Sequence, residues 1–176
     1  ALPVETRGIA GIPDLMHHKF CVRDGLDVWT GSMNWTEDSW TRQENVVVRV
    51  LGSERLAFAF ALAFEQLWGS GVVEGTGTVQ PRPVTLDDGA EVRPWFTPGF
   101  GDALSHRVAK HLGRARTRIR IASPVLTAGP ILGTLAEVVN EGRCGVVGVV
   151  DDTQVDDVVR QWSRNRVSAW KLPLLQ

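Results

Sequence analysis

The chain of 176 residues has only two cysteines, Cys21 and Cys144. They make neither a disulfide framework nor a zinc-site spacing. No apolar run is long enough to span a bilayer, and the most apolar stretch, Leu56 to Trp68, has the length of a buried helix. There is no basic excess: 19 Lys and Arg stand against 20 Asp and Glu, for a formal net charge of −1. That balance argues against a dedicated nucleic-acid binder. The chain lacks an initiator methionine and a signal-like apolar core after Ala1. Trimming is therefore expected, and the cellular address is left open. What is present is 43% hydrophobic and 22% charged, the make-up of a folded globular chain with one ordinary domain or two small ones.

Chemistry concentrates between Met16 and Val50, where His17 and Lys19 stand two apart, followed by Asp24, then Gly31, Ser32 and Asn34. Asp24-Gly25, lying between runs rich in Val, Trp, Phe and Met, signals a hairpin. A two-residue turn there sets Phe20 opposite Trp29 and His17 opposite Ser32. Side chains alternate along a strand, so one face is expected to carry His17, Lys19, Cys21, Thr30, Ser32 and Asn34. The other face then carries Met16, Phe20, Val22, Trp29, Met33 and Trp35. The first face gathers a nucleophile, a cation, hydroxyls and an amide, the groups an anionic phosphate needs. Cys21 on that face reads as a small half-buried residue.

Along the chain, residues 1–14 form an irregular lead-in, the hairpin runs to Trp35, and a polar loop covers 36–43. A valine-rich strand at 44–51 precedes a helix from Glu54 to Trp68, N-capped by Ser53, with Leu56, Phe60, Ala63, Phe64 and Leu67 on its core face. Residues 71–89, rich in Gly, Pro, Thr and Asp, read as a linker; the glycines at 69, 71, 75 and 77 match no phosphate-binding fingerprint. From 90 to 176 strands and helices alternate: strands at 92–97, 117–125, 144–150 and 167–172, helices at 102–112, 131–141 and 155–163. Such alternation implies β-α-β units. The fold class is α/β, a mixed β-sheet flanked by helices. Arg114, Arg116, Arg118 and Arg120 read as a solvated helix end and strand start in preference to a nucleic-acid patch. The aspartates at 151–152 and 156–157 read as caps in preference to metal ligands.

The pattern His-x-Lys-x4-Asp-x6-Gly-Ser-x-Asn, complete at positions 17, 19, 24, 31, 32 and 34, resembles the HKD motif of the phospholipase D superfamily. The resemblance implies that residues 1–70 are the closing half of one phospholipase D-like lobe and residues 90–176 the opening half of a second, each incomplete in this chain. It also implies metal-free, cofactor-free cleavage or transfer of a phosphodiester through a covalent phosphohistidine. His17 is then the nucleophile, with its other ring nitrogen held by Glu44, ten residues past Asn34. Lys19, Ser32 and Asn34 bind the non-bridging oxygens. Asp24 is explained equally by catalysis and by the turn.

Family catalysis uses two histidines, and no second HKD motif is present: His106 and His111 lack the partner residues. The chain is therefore expected to be a piece of a two-motif enzyme. Alternatives are a homodimer sharing two copies of His17, or a permuted single lobe. A phospholipid substrate suits the neutral charge and the tryptophans at 29, 35, 40, 68 and 95. A nucleic acid and a peripheral membrane contact stand as further alternatives. A non-catalytic phosphate-binding or assembly module is the rival of another class.

Overall fold

The computed structural model describes residues 3–11, 13–165 and 167–174. They belong to the α/β class, with antiparallel and parallel strands flanked by helices. Contacts divide the chain into two compact units, 1–101 and 102–176.

In the first unit, β1 (Phe20–Arg23), β2 (Asp27–Gly31) and β3 (Val47–Val50) form an antiparallel sheet in that order. The short helix α1 (Glu37–Thr41) occupies part of the expected 36–43 loop. Helix α2 (Glu54–Ser70) covers one sheet face. Leu56, Ala57, Phe60 and Ala63 recur at helical spacing and bury against Val28 of β2, where Leu56 and Val28 are almost completely enclosed. Phe64, expected on that face, instead remains 46% exposed and stacks on Trp68. Ser53 precedes the helix, but its hydroxyl makes no capping bond. Gly71, in the left-handed conformation at φ 72°, closes the other end by donating to the Leu67 carbonyl.

The 71–89 stretch differs from the linker expected. Val79 and Val84 enter the first unit's core with Phe96, and Gln66 of α2 clamps Thr78 through both its amide groups. Apolar side chains at wide intervals suffice to fasten a stretch whose composition is otherwise that of a loop. Within it β4 (Val84–Thr85) pairs with β5 (Glu91–Val92).

Helix α3 (Gly101–Leu112) starts at the boundary, and the second unit continues with β6 (Arg118–Ala122), α4 (Gly129–Asn140), β7 (Gly145–Val149) and α5 (Asp152–Ser163). β6 and β7 pair in parallel on either side of α4, the β-α-β unit that the alternation implies. Ile119, Leu135 and Val138 form its core. The Asp151 carboxylate accepts from the Gln154 N–H and caps α5. The strand expected at 167–172 is absent: 169–174 is a 3-10 helix, in which Lys171 donates back to Ser168 and Pro173 has no N–H to offer a ladder.

The hairpin register departs from expectation by one residue. Asp24 and Gly25 do form the tight turn, with φ of 55° and 66° and the Leu26 N–H bonded to the Arg23 carbonyl. However, Phe20 pairs with Thr30 and Arg23 with Asp27, so Leu26 stands outside the ladder. The cause lies at the turn before α2. The Ser53 N–H takes the Leu26 carbonyl and the Gly52 N–H takes the Asp27 carboxylate, which is 4% exposed and also pairs with Arg23 at 2.5 Å. A one-residue shift exchanges the faces of a strand. Val28 and Thr30 therefore join the side of Phe20 and Val22, while Trp29 and Gly31 join that of Cys21.

Gly31 ends β2 hard against the chain entering β3, where a Cβ would lie 2.0 Å from the Val46 carbonyl oxygen. Gly31→Ala is expected to destabilise the first unit by about 2 kcal/mol or more, read as a lowered urea midpoint. An unchanged midpoint would contradict this packing.

Candidate active site

The open end of the hairpin collects most of the candidate residues. His17 lies in the extended segment leading into β1 and is exposed, as are Ser32 and Asn34 beyond β2. Lys19, partly buried, donates its ammonium to the His17 carbonyl at 2.8 Å. Burial pushes the Lys19 ammonium below its ordinary pKa. Asp24 occupies the turn at the other end of β1, paired with Arg23 at 3.5 Å, so the hairpin does not bring it to His17.

Ser32 is held on two sides. Its hydroxyl donates to the Asn45 side-chain oxygen at 2.9 Å and accepts the Val46 N–H at 3.0 Å. Asn45 in turn donates to the carbonyls of Ser39 and Gln43. This residue, missed in reading the sequence, links the serine to α1 and to the start of β3. Its only signal was its place between a polar loop and a strand. Glu44, its neighbour, is exposed, and among the described residues no hydrogen bond joins it to the His17 ring. Asn34 keeps its amide exposed.

His18 points away from these groups, edge-on to Phe20 and Phe96 at ring separations of 5.5 and 6.1 Å. Burial lowers its pKa, and the neighbouring charges of Lys19 and His17 lower it further. Its ring packs among aromatic side chains and serves the fold.

The exchanged register has a visible effect on the other sheet face. Trp29 lies there with the Arg49 guanidinium 4.9 Å from its ring centroid. A groove of about 490 Å³ runs past Lys19, Cys21, Trp29 and Val47 to Met33, Trp35 and Trp40. Among the described residues no cluster of three metal-ligating side chains occurs, and no helix is long and apolar enough to cross a membrane.

Residues 3–68 match the family model described as "Cardiolipin synthase, PLD-like domain". The mitochondrial cardiolipin hydrolase of Xenopus tropicalis is 38% identical to this chain over 71 residues, which is 38% of this chain and 33% of the relative. The mitochondrial cardiolipin hydrolase of Chlamydomonas reinhardtii is 42% identical over 53 residues, 30% of this chain and 23% of the relative. The chain thus spans a third or less of the length of these curated relatives. No solved structure matches it significantly.

A histidine held neutral by burial costs stability wherever the unfolded chain would protonate it. Because the folded pKa of His18 is depressed, stability should be full above the unfolded value of about 6.5 and decline as pH falls through the interval down to the folded pKa. The acid limb of a melting-temperature profile should be shallower in His18→Phe than in the wild type, and identical limbs would exclude this origin.

Proposed function

We propose, from the premise that residues 3–68 belong to the phospholipase D superfamily, that this chain supplies one half of a phosphodiesterase site and acts through a covalent phosphohistidine at His17. The observation that supports the reading is the complete HKD pattern in the sequence, on a hairpin in which Lys19 bonds the His17 carbonyl and Ser32 is held by Asn45.

By this reading a ring nitrogen of His17 attacks phosphorus and forms the N–P bond while the bond to the leaving alcohol breaks. Lys19, Ser32 and Asn34 meet the negative charge that builds on the non-bridging oxygens. A second histidine, from another segment or a second copy of the chain, protonates the departing alkoxide. The same group then takes a proton from water or from an acceptor alcohol, which attacks phosphorus and releases His17. Glu44 is the proposed holder of the other His17 ring nitrogen, a pairing that the free chain does not make. Asp24 is assigned to the turn. Of the substrate classes, a phospholipid is favoured over a nucleic acid by the near-neutral charge, by the exposed tryptophans and by the hydrolase named among the relatives.

The single motif also favours a second reading, a phosphate-binding or assembly module without turnover. Hydrolysis of bis(p-nitrophenyl) phosphate and of a phospholipid separates the two, measured over a range of protein concentrations alongside the native mass. The enzyme reading expects activity that rises steeply as dimer forms, or on adding a segment bearing the second histidine. It also expects an acid-labile phosphate adduct, and a loss on the order of a thousandfold or more in His17→Ala. Phosphate binding without turnover under all these conditions would leave the module.

A further inference from the structure

The groove beside Lys19 has apolar walls that the phosphodiester chemistry does not use. Its sides are Trp29 and Val47 from the sheet, Met33 and Trp35 from the segment after β2, and Trp40 from α1. The three indoles remain 39%, 58% and 62% exposed at positions 29, 35 and 40. Helix α1 buries only Ser39 and turns Trp40 outward. An aromatic cluster left in water on this scale marks a binding surface more often than a structural one. The volume, about 490 Å³, is that of a ligand site and not of a packing gap.

Polarity defines the occupant. The trench is almost wholly apolar along its length; among the described residues Lys19 is the one cation in its lining, with the Arg49 guanidinium stacked on the Trp29 ring beside it. A long apolar body with a single negative end matches it. A nucleic acid strand also stacks on indoles, but it needs a basic track for its backbone. Residues 1–101 hold 8 Lys and Arg against 13 Asp and Glu, a balance that repels a polyanion and admits one phosphate at one ammonium. We propose that this groove binds one acyl chain of an anionic lipid, with the lipid phosphate at Lys19. The inference rests on the reading of Lys19 as a phosphate-binding group and extends that site from the phosphorus to the tail.

Burial of a chain along the groove makes affinity depend on chain length. The full chain, with His17→Ala in parallel to remove any turnover, is titrated with monoacyl phosphatidylglycerols from octanoyl to dodecanoyl below their micelle concentrations, following tryptophan emission. Glycerophosphoglycerol serves as the tail-free control. Affinity should rise roughly tenfold for each pair of methylenes added. That slope should flatten in Trp40→Ala and in Trp35→Ala, whose side chains are exposed enough for the fold to survive truncation; far-UV circular dichroism verifies this, and either variant alone suffices. Affinity independent of chain length, or an equal slope in both variants, would overturn the groove. Turnover of bis(p-nitrophenyl) phosphate reads the catalytic proposal separately. Turnover with a flat series removes the groove and keeps the enzyme, whereas a steep series without turnover does the reverse.

Discussion

Two hydrogen bonds from the turn at Gly52 and Ser53 hold the hairpin to the start of α2, one to the Leu26 carbonyl and one to the Asp27 carboxylate. A hydrogen bond to a charged group contributes about 1.5–3 kcal/mol, and a one-residue change of register exchanges the faces of a strand. These bonds draw Leu26 out of the ladder. By doing so they send Val28 into the core and Trp29 to the opposite face. The composition of both sheet faces, and with it the existence of an aromatic trench beside Lys19, follows from that anchorage.

The same economy governs the polar end of the hairpin. An ammonium has three donors, and Lys19 commits one to the His17 carbonyl. The remaining two are free to meet an anion, while the bond to the backbone limits where they point. Ser32 is more heavily committed, with its proton on Asn45 and one lone pair on Val46. It resembles a fixed fitting that sets the mouth of the site. The exposed Asn34 amide is the more adaptable group. Partial burial of Lys19 weakens its hydration, which is the cause of its lowered pKa.

Much of this was legible in the sequence because local signals sufficed. Asp24-Gly25 announced its turn, helical spacing over Leu56, Ala63 and Leu67 announced α2, and the β6-α4-β7 crossover followed from alternation. The HKD residues were legible as a pattern, and the hairpin draws His17, Lys19, Ser32 and Asn34 to one end. The register was not legible, because it depends on Gly52 and Ser53, about 25 residues from the positions they hold. For the same reason Trp29 was assigned to the wrong face and Asn45 was overlooked. Loop-like composition concealed Val79 and Val84, since two core contacts leave no periodic trace. The final 3-10 turn defeated a strand reading that weighed the apolar residues and passed over Pro173.

The paired strands β6 and β7 have a practical side. One face packs Ile119 and Val146 toward α4, while Val147 and Val149 on the other are 63% and 71% exposed. Parallel strands are seldom left bare in this way. Handled on its own at high concentration, a fragment carrying residues 102–176 would offer both wet valines and unpaired peptide groups to its neighbours. Its colloidal behaviour, more than its melting point, would then set the usable concentration and buffer for work on that half of the chain.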